Sequence, residues 1–127
     1  MRALQLRNQR IIDTRQASGA FGDGATEEFR AWGDGLTEQG GTDDCDIPQS
    51  AVAVHLNFTG VNPAGFGYLP AWPNGEDEPG ATLMTFTGGV SLSNATALAI
   101  CNDCVSDFTV KIYGAQTDLV GDVVGYY

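Results

Sequence analysis

The sequence predicts an all-β fold, a single-domain β-sandwich or flattened barrel of about seven to eight short, mainly antiparallel strands. Three observations carry this. Val52, Val54, Leu56 and Phe58 alternate strictly with Ala53, His55, Asn57 and Thr59, the period of a strand with one buried face. Seventeen glycines and five prolines interrupt the 127 residues so often that few windows are left for helices. The remaining apolar stretches are short and separated by turn residues. A hydrophobic content of 43% fits a globular chain of this length with a core of its own.

Taken in order, Ala3–Arg7 and Arg10–Arg15 alternate and predict an arm and a first strand. The domain is placed at residues 10–127 and the arm at residues 1–9. Thr26–Trp32 fits a strand with Phe29 inward, the favoured reading, or one helical turn begun by Thr26. Residues 33–50, rich in Gly, Asp and Thr, form the longest irregular segment, of the kind that is functional or mobile in compact domains. Residues 52–59 and 66–69, separated by Gly60, Asn62, Pro63, Ala64 and Gly65, predict a central hairpin. Strands follow at Ala81–Thr87, Thr96–Cys101 and Phe108–Tyr113, although residues 91–101 have a composition that also suits a short helix. Asp118–Tyr127 is apolar on both faces, as a central or a sheet-covered strand would be.

The net charge of −10 is unevenly distributed. Residues 1–15 hold Arg2, Arg7, Arg10 and Arg15 against Asp13, a net +3, whereas residues 16–127 hold Arg30 and Lys111 against fifteen carboxylates, a net −13. Phosphate and anionic lipid surfaces need clustered positive charge, so nucleic acid and membranes are poor partners for the body. No apolar run reaches the length that spans a bilayer. The first ten residues lack the apolar segment of a secretory leader, so a leader is either already removed or unused.

Arg10–Arg15 (RIIDTR), Ala53–Thr59 (AVHLNFT), Gly67–Tyr68, Pro73–Gly75, Asn94 and Asp122–Tyr127 (DVVGYY) together carry a likeness. On these residues the chain resembles a β-domain of secreted and surface-exposed bacterial proteins, which opens with an Asp-Thr-Arg strand and ends in Asp-Val-x-Gly-Tyr-aromatic. The resemblance spans residues 10–127 and implies a surface module without catalytic residues. The chain departs from the pattern in the Cys45 loop, the Cys101–Cys104 turn and the basic arm.

The candidate sites follow from chemistry. Asp122, between Val120 and Val124 in an apolar strand, needs a cation, and Arg15 is the expected partner in a buried clasp joining the two ends of the fold. Cys101 and Cys104 fit a disulfide across a two-residue hairpin loop, with Cys45 outside it. A bridge from Cys45 to one of that pair is the alternative, and a zinc site with His55 fits no common ligand spacing. His55 lacks a nucleophile motif beside it, and no metal ligand set is assigned. Asp43-Asp44-Cys45-Asp46 and Glu76-Asp77-Glu78 are oxygen-rich loops able to bind calcium, but neither has an EF-hand spacing, and a solvated acidic rim is the expected role. Trp32 and Trp72 are the candidate ligand platform. Leu4, Leu6 and Arg7 form an assembly arm able to add a strand to the open edge of another copy. The function expected from the sequence is a non-enzymatic structural or adhesive module at the cell surface, outside the cell or in a virion, assembling head to tail. The alternative is a carbohydrate-binding module. Expected partners are copies of the chain, surface glycans or other surface proteins.

Overall fold

A computed structural model describes residues 2–3, 9–33, 35–42 and 45–127, the first two by backbone alone. The fold is all-β, with every strand pairing antiparallel and no closed barrel. One layer is a five-stranded sheet. In it β11 (Asp118–Tyr126) and β4 (Ala53–Val61) are central, and β8 (Leu92–Ala99) pairs with the far side of β4. Beyond β11, β1 (Arg2–Ala3) and β2 (Gln9–Asp13) lie one after the other along its second edge. β11 is paired along both edges, and of its two faces the one with Leu119, Gly121, Val123 and Gly125 is buried while the other is half-buried apart from Val120.

The second layer consists of two three-stranded sheets. In one, β9 (Phe108–Lys111) lies between β3 (Thr26–Phe29) and β6 (Ala71–Pro73). In the other, β5 (Gly67–Leu69) lies between β10 (Tyr113–Gly114) and β7 (Met84–Phe86). β5 runs on into β6 past Pro70, and β9 into β10 past Ile112, so the two sheets continue one another with a break. Proline there has no N–H to give the ladder. Phe58 of β4 meets Phe108 of β9 edge-on at 6.3 Å, and Phe29 lies 5.8 Å from Phe108 on its other side. These rings, with Leu56, Leu69, Ile112 and Leu119, are fully buried between the layers.

The sequence pattern places Val54, Leu56 and Phe58 inward, as found; Val52 lies before the strand and is 60% exposed. The predicted central hairpin is not formed. β4 pairs with β11 and β8, while β5 pairs with β10 and β7, so residues 62–66 carry the chain from one layer to the other. Turn residues between two alternating runs signal a reversal of direction, and they do so equally when the second run joins a different sheet. No helix among the described residues is long and apolar enough to cross a membrane.

The 33–50 segment is docked rather than loose along its described part. A 3₁₀ turn at Leu36–Gln39 buries Leu36, and Gly40 bridges to Ile12. Thr42 N–H donates to the Arg10 carbonyl at 2.9 Å, and the buried Cys45 thiol donates to the same carbonyl at 3.6 Å. This segment therefore covers the outer edge of β2.

Candidate functional site

The outer face of the second layer brings aromatic, cationic and acidic side chains together. Phe108, Val110 and Ile112 point inward, so Thr109, Lys111 and Tyr113 point out. Register sets Trp72 opposite Thr109 and Tyr68 opposite Tyr113, with Thr26 and Glu28 of β3 across from Lys111 and Thr109. Tyr68 and Tyr113 stack at 4.9 Å with their planes 13° apart. The Lys111 ammonium lies 4.7 Å from the Tyr113 ring centre, and 3.6 Å from Glu78. Glu78 also accepts a 2.5 Å hydrogen bond from the Tyr113 hydroxyl. The Tyr113 hydroxyl, with Glu78 beside it, keeps Lys111 charged above its ordinary range. A cleft of about 240 Å³ opens beside this group, between Tyr68, Pro70 and Tyr113 and the turn Glu78–Thr82. Tyr68 is 40% exposed, an apolar ring open to solvent on a polar face.

Trp72 belongs to this face, half-buried on β6. Trp32 follows β3 and packs partly against the core, with its indole N–H donating to Asp107 at 3.1 Å and the Arg30 guanidinium 5.3 Å from its ring. The structure thus separates their roles. Asp107 was not foreseen. Only 1% exposed, it accepts from Ala31 N–H at 2.6 Å and from Trp32, while its own N–H donates to the Phe29 carbonyl. Its carbonyl accepts from Asn74 and Cys101 N–H, which ties the ends of β3, β6 and the cysteine turn together. Burial pushes its carboxyl above the usual carboxylate range. An aspartate just ahead of an alternating strand reads as an ordinary turn residue, so only the tertiary contacts reveal it.

The expected Arg15–Asp122 clasp is corrected. Asp122 lies directly across from Arg10 in the β11–β2 ladder, and the Arg10 Nε reaches it at 3.1 Å. Arg15 lies past the end of β2, in a 3₁₀ turn, and its guanidinium makes two 2.9 Å bonds to Asp13. Those bonds hold the Asp13 carboxyl below the usual range against the opposing effect of burial. The first and last strands are joined as expected, but through Arg10, whose side chain is 41% exposed, so the pair is not buried. A ladder register with a bulge between Gly121 and Asp122 cannot be counted off from the sequence, and it decides which arginine arrives.

Cys101 and Cys104 form a disulfide, with Cys45 outside it. The bridge closes a tight turn, Cys104 N–H donating to the Cys101 carbonyl, on the path from β8 in one layer to β9 in the other, rather than across a hairpin. Cys101, Asp103 and Cys104 lie within reach of one another, but the two sulfurs are committed to each other. His55 sits on the outer face of β4, opposite Gly125 and Ala97, with its Nδ1 buried and without a hydrogen-bond partner. Of the assembly arm, Arg2 and Ala3 pair with Tyr126 and Gly125 of their own β11; Leu4, Leu6 and Arg7 lie outside the described residues, as do Asp43 and Asp44.

Glu27 is a second site that sequence reading missed. It lies across from Val110 on the inward side of β3, one carboxylate oxygen buried without a partner, beside a cleft of about 430 Å³ that Glu28, Glu38 and Gln39 also line. Burial, reinforced by the charge of Asp118, raises its pKa above 4.5. The folded state therefore favours the protonated acid, and its contribution to stability falls as pH rises from about 4.5 through the folded value. Glu27→Gln is expected to raise the urea midpoint at pH 7 and to flatten its decline between about pH 4 and 7. Midpoints of the two proteins that run parallel over that range would show that Glu27 titrates normally. No family model, curated protein or solved structure matches this chain.

Proposed function

We propose that this protein is a non-enzymatic adhesive module that binds glycans through the outer face of its second layer. The observation that carries the reading is the stacked Tyr68–Tyr113 pair beside an open cleft, with Trp72 four residues along the same strand line. Four residues of extended chain place Tyr68 and Trp72 about 13 Å apart on one side of the layer, a span suited to an extended oligosaccharide rather than a small metabolite. Sugar rings present flat C–H faces to aromatic rings and hydroxyls to flanking polar groups, and Lys111, Glu78, Thr109 and Glu28 supply the latter. The expected place of action is the cell surface or the extracellular space, which the resemblance in Asp13–Arg15 and Asp122–Tyr127 and the Cys101–Cys104 disulfide support.

The test is a glycan array with the intact chain, followed by titration of the best ligands by calorimetry. Tyr68→Ala and Trp72→Ala are each expected to weaken binding at least about tenfold, equivalent to about 1.4 kcal/mol, while Tyr127→Ala, on the other layer, leaves it unchanged. Binding that survives both substitutions, or no binding to any glycan, sinks the reading.

A further inference from the structure

β8 is an edge of the five-stranded sheet whose outward main-chain groups pair with no strand among the described residues; residues 82–85 of the second layer reach it from the inner face, where the Asn94 amide donates to the Leu83 carbonyl at 2.7 Å. The opposite edge is shielded by residues 36–42 lying against β2. Natural edge strands are protected by charge, proline, a bulge or shortness, because an open row of N–H and C=O groups pairs with any strand that reaches it. β8 has none of these. It is eight residues long, LSNATALA, and pairs with β4 from Ala99 to Leu92 without a register shift. It lies within residues 79–102, a stretch with no Asp, Glu, Lys, Arg or His in a chain of net charge −10.

The polarity of that edge can be read from the ladder. Ile100 N–H donates to the Val52 carbonyl on the β4 side, so the even-numbered residues of β8 turn their main-chain groups toward β4. Ser93, Ala95, Ala97 and Ala99 therefore turn theirs outward. Among the described residues these groups meet one partner, the Thr96 hydroxyl at the Ala97 carbonyl. All four side chains are small and exposed.

We infer that β8 is a homodimerisation edge, at which two copies pair β8 to β8 in antiparallel register about a two-fold axis at Thr96. This register sets Ser93 against Ala99 and Ala95 against Ala97 of the second copy, and so uses all four outward residues of each strand. Each such pair exchanges two bonds, about eight in all, and the two sheets become one. The same register sets Leu92, 41% exposed, against Ile100 of the second copy. A two-fold contact needs a self-complementary patch, and an uncharged strand lets two strongly acidic bodies meet without facing like charges at the seam. The contact is independent of the aromatic face, which lies on the other layer. It is a different contact from the head-to-tail one expected through the arm, of which Arg2 and Ala3 alone are described, on their own β11.

The test is sedimentation equilibrium of the intact protein at about 1–300 µM, the range in which a contact smaller than a standard interface dissociates. The expected result is a mass rising to twice the 13.4 kDa of one chain. Ala97→Pro removes an outward N–H and no bond to β4, and proline is tolerated on edges in that position. It is expected to leave the circular dichroism and melting midpoint of the monomer unchanged while raising the dimer dissociation constant at least about tenfold. Ala95→Lys should act the same way through charge, and the effect should weaken at high salt. A monomer at every concentration, a particle larger than two chains, or a dimer that both variants leave intact would overturn the inference.

Discussion

Asp107→Ala is expected to cost about 3–5 kcal/mol, among the largest losses available from a single side chain in this fold. The Ala31 N–H, which is buried, and the Trp32 indole N–H, which is partly so, lose their acceptor, while the main-chain bonds of residue 107 to Phe29, Asn74 and Cys101 remain. Asp107→Asn distinguishes charge from hydrogen bonding. It keeps one acceptor and removes the ionised carboxylate that burial disfavours, so it should fall well short of the alanine loss at pH 7. The sign of the pH effect follows. A carboxyl raised in the folded state contributes most below about pH 3.8, and that contribution declines as pH rises through its folded value. Urea titrations of the three proteins at pH 5 and 7 provide the measurement. An alanine variant within about 0.5 kcal/mol of the parent would mean that water replaces the carboxylate without loss.

Gly40→Ala is expected to cost about 3 kcal/mol or more and to free the segment that covers β2. Gly40 has φ +86°, where any side chain is strained, and a Cβ there would run into the main chain of Asp13. At the next residue a Cβ would come within 2.6 Å of the Ile11 carbonyl oxygen, so the segment has no room to step aside. Gly75 is the control: its φ is +90° but a Cβ would meet nothing within 4 Å. Gly75→Ala should therefore show the strain alone, about 1–2 kcal/mol. The difference between the two variants reports the close docking. Limited proteolysis gives the second readout, with new cleavage inside residues 33–50 of the Gly40 variant only. Equal losses at both glycines, without new cleavage, would show that the docking contributes nothing.

Period and composition made the strands legible, since alternation reports which face of each strand meets the core. Phe29, Val54, Leu56, Phe58, Phe108, Val110 and Ile112 all lie where alternation puts them. In β11 the apolar residues report burial, of Leu119 and Val123 on one face and Val120 on the other, and not which strands flank it. The partners of β4 and β5 were not legible, because a turn sequence fixes a local bend and says nothing about which sheet receives the next strand. The candidate site divides in the same way. Trp72 was legible as a candidate platform residue by its type alone, and its strand is seen only in the fold. Tyr68 and Tyr113 are 45 residues apart and become a pair only through the β5–β10 register. Asp107 and Glu27 are unremarkable in sequence, since burial of a carboxylate is a property of the packed layers.

The order of strands along the chain has a consequence for biosynthesis. β11 is made after every strand it joins, yet it lies between β4 and the β1–β2 edge. A nascent chain that stops short of residue 118 leaves β4 with β8 on one side and an open ladder on the other, and leaves β2 without a sheet. Such a chain lacks Leu119 and Val123 from the core and leaves the main-chain groups along that edge of β4 unpaired, an open strand edge that persists until β11 emerges. Closure then needs contacts between residues more than a hundred positions apart, such as Arg10 with Asp122 and Thr14 with Asp118. Folding dominated by such distant contacts is slow, on the millisecond-to-second scale of β-sandwiches, and begins in earnest only once synthesis has passed β11.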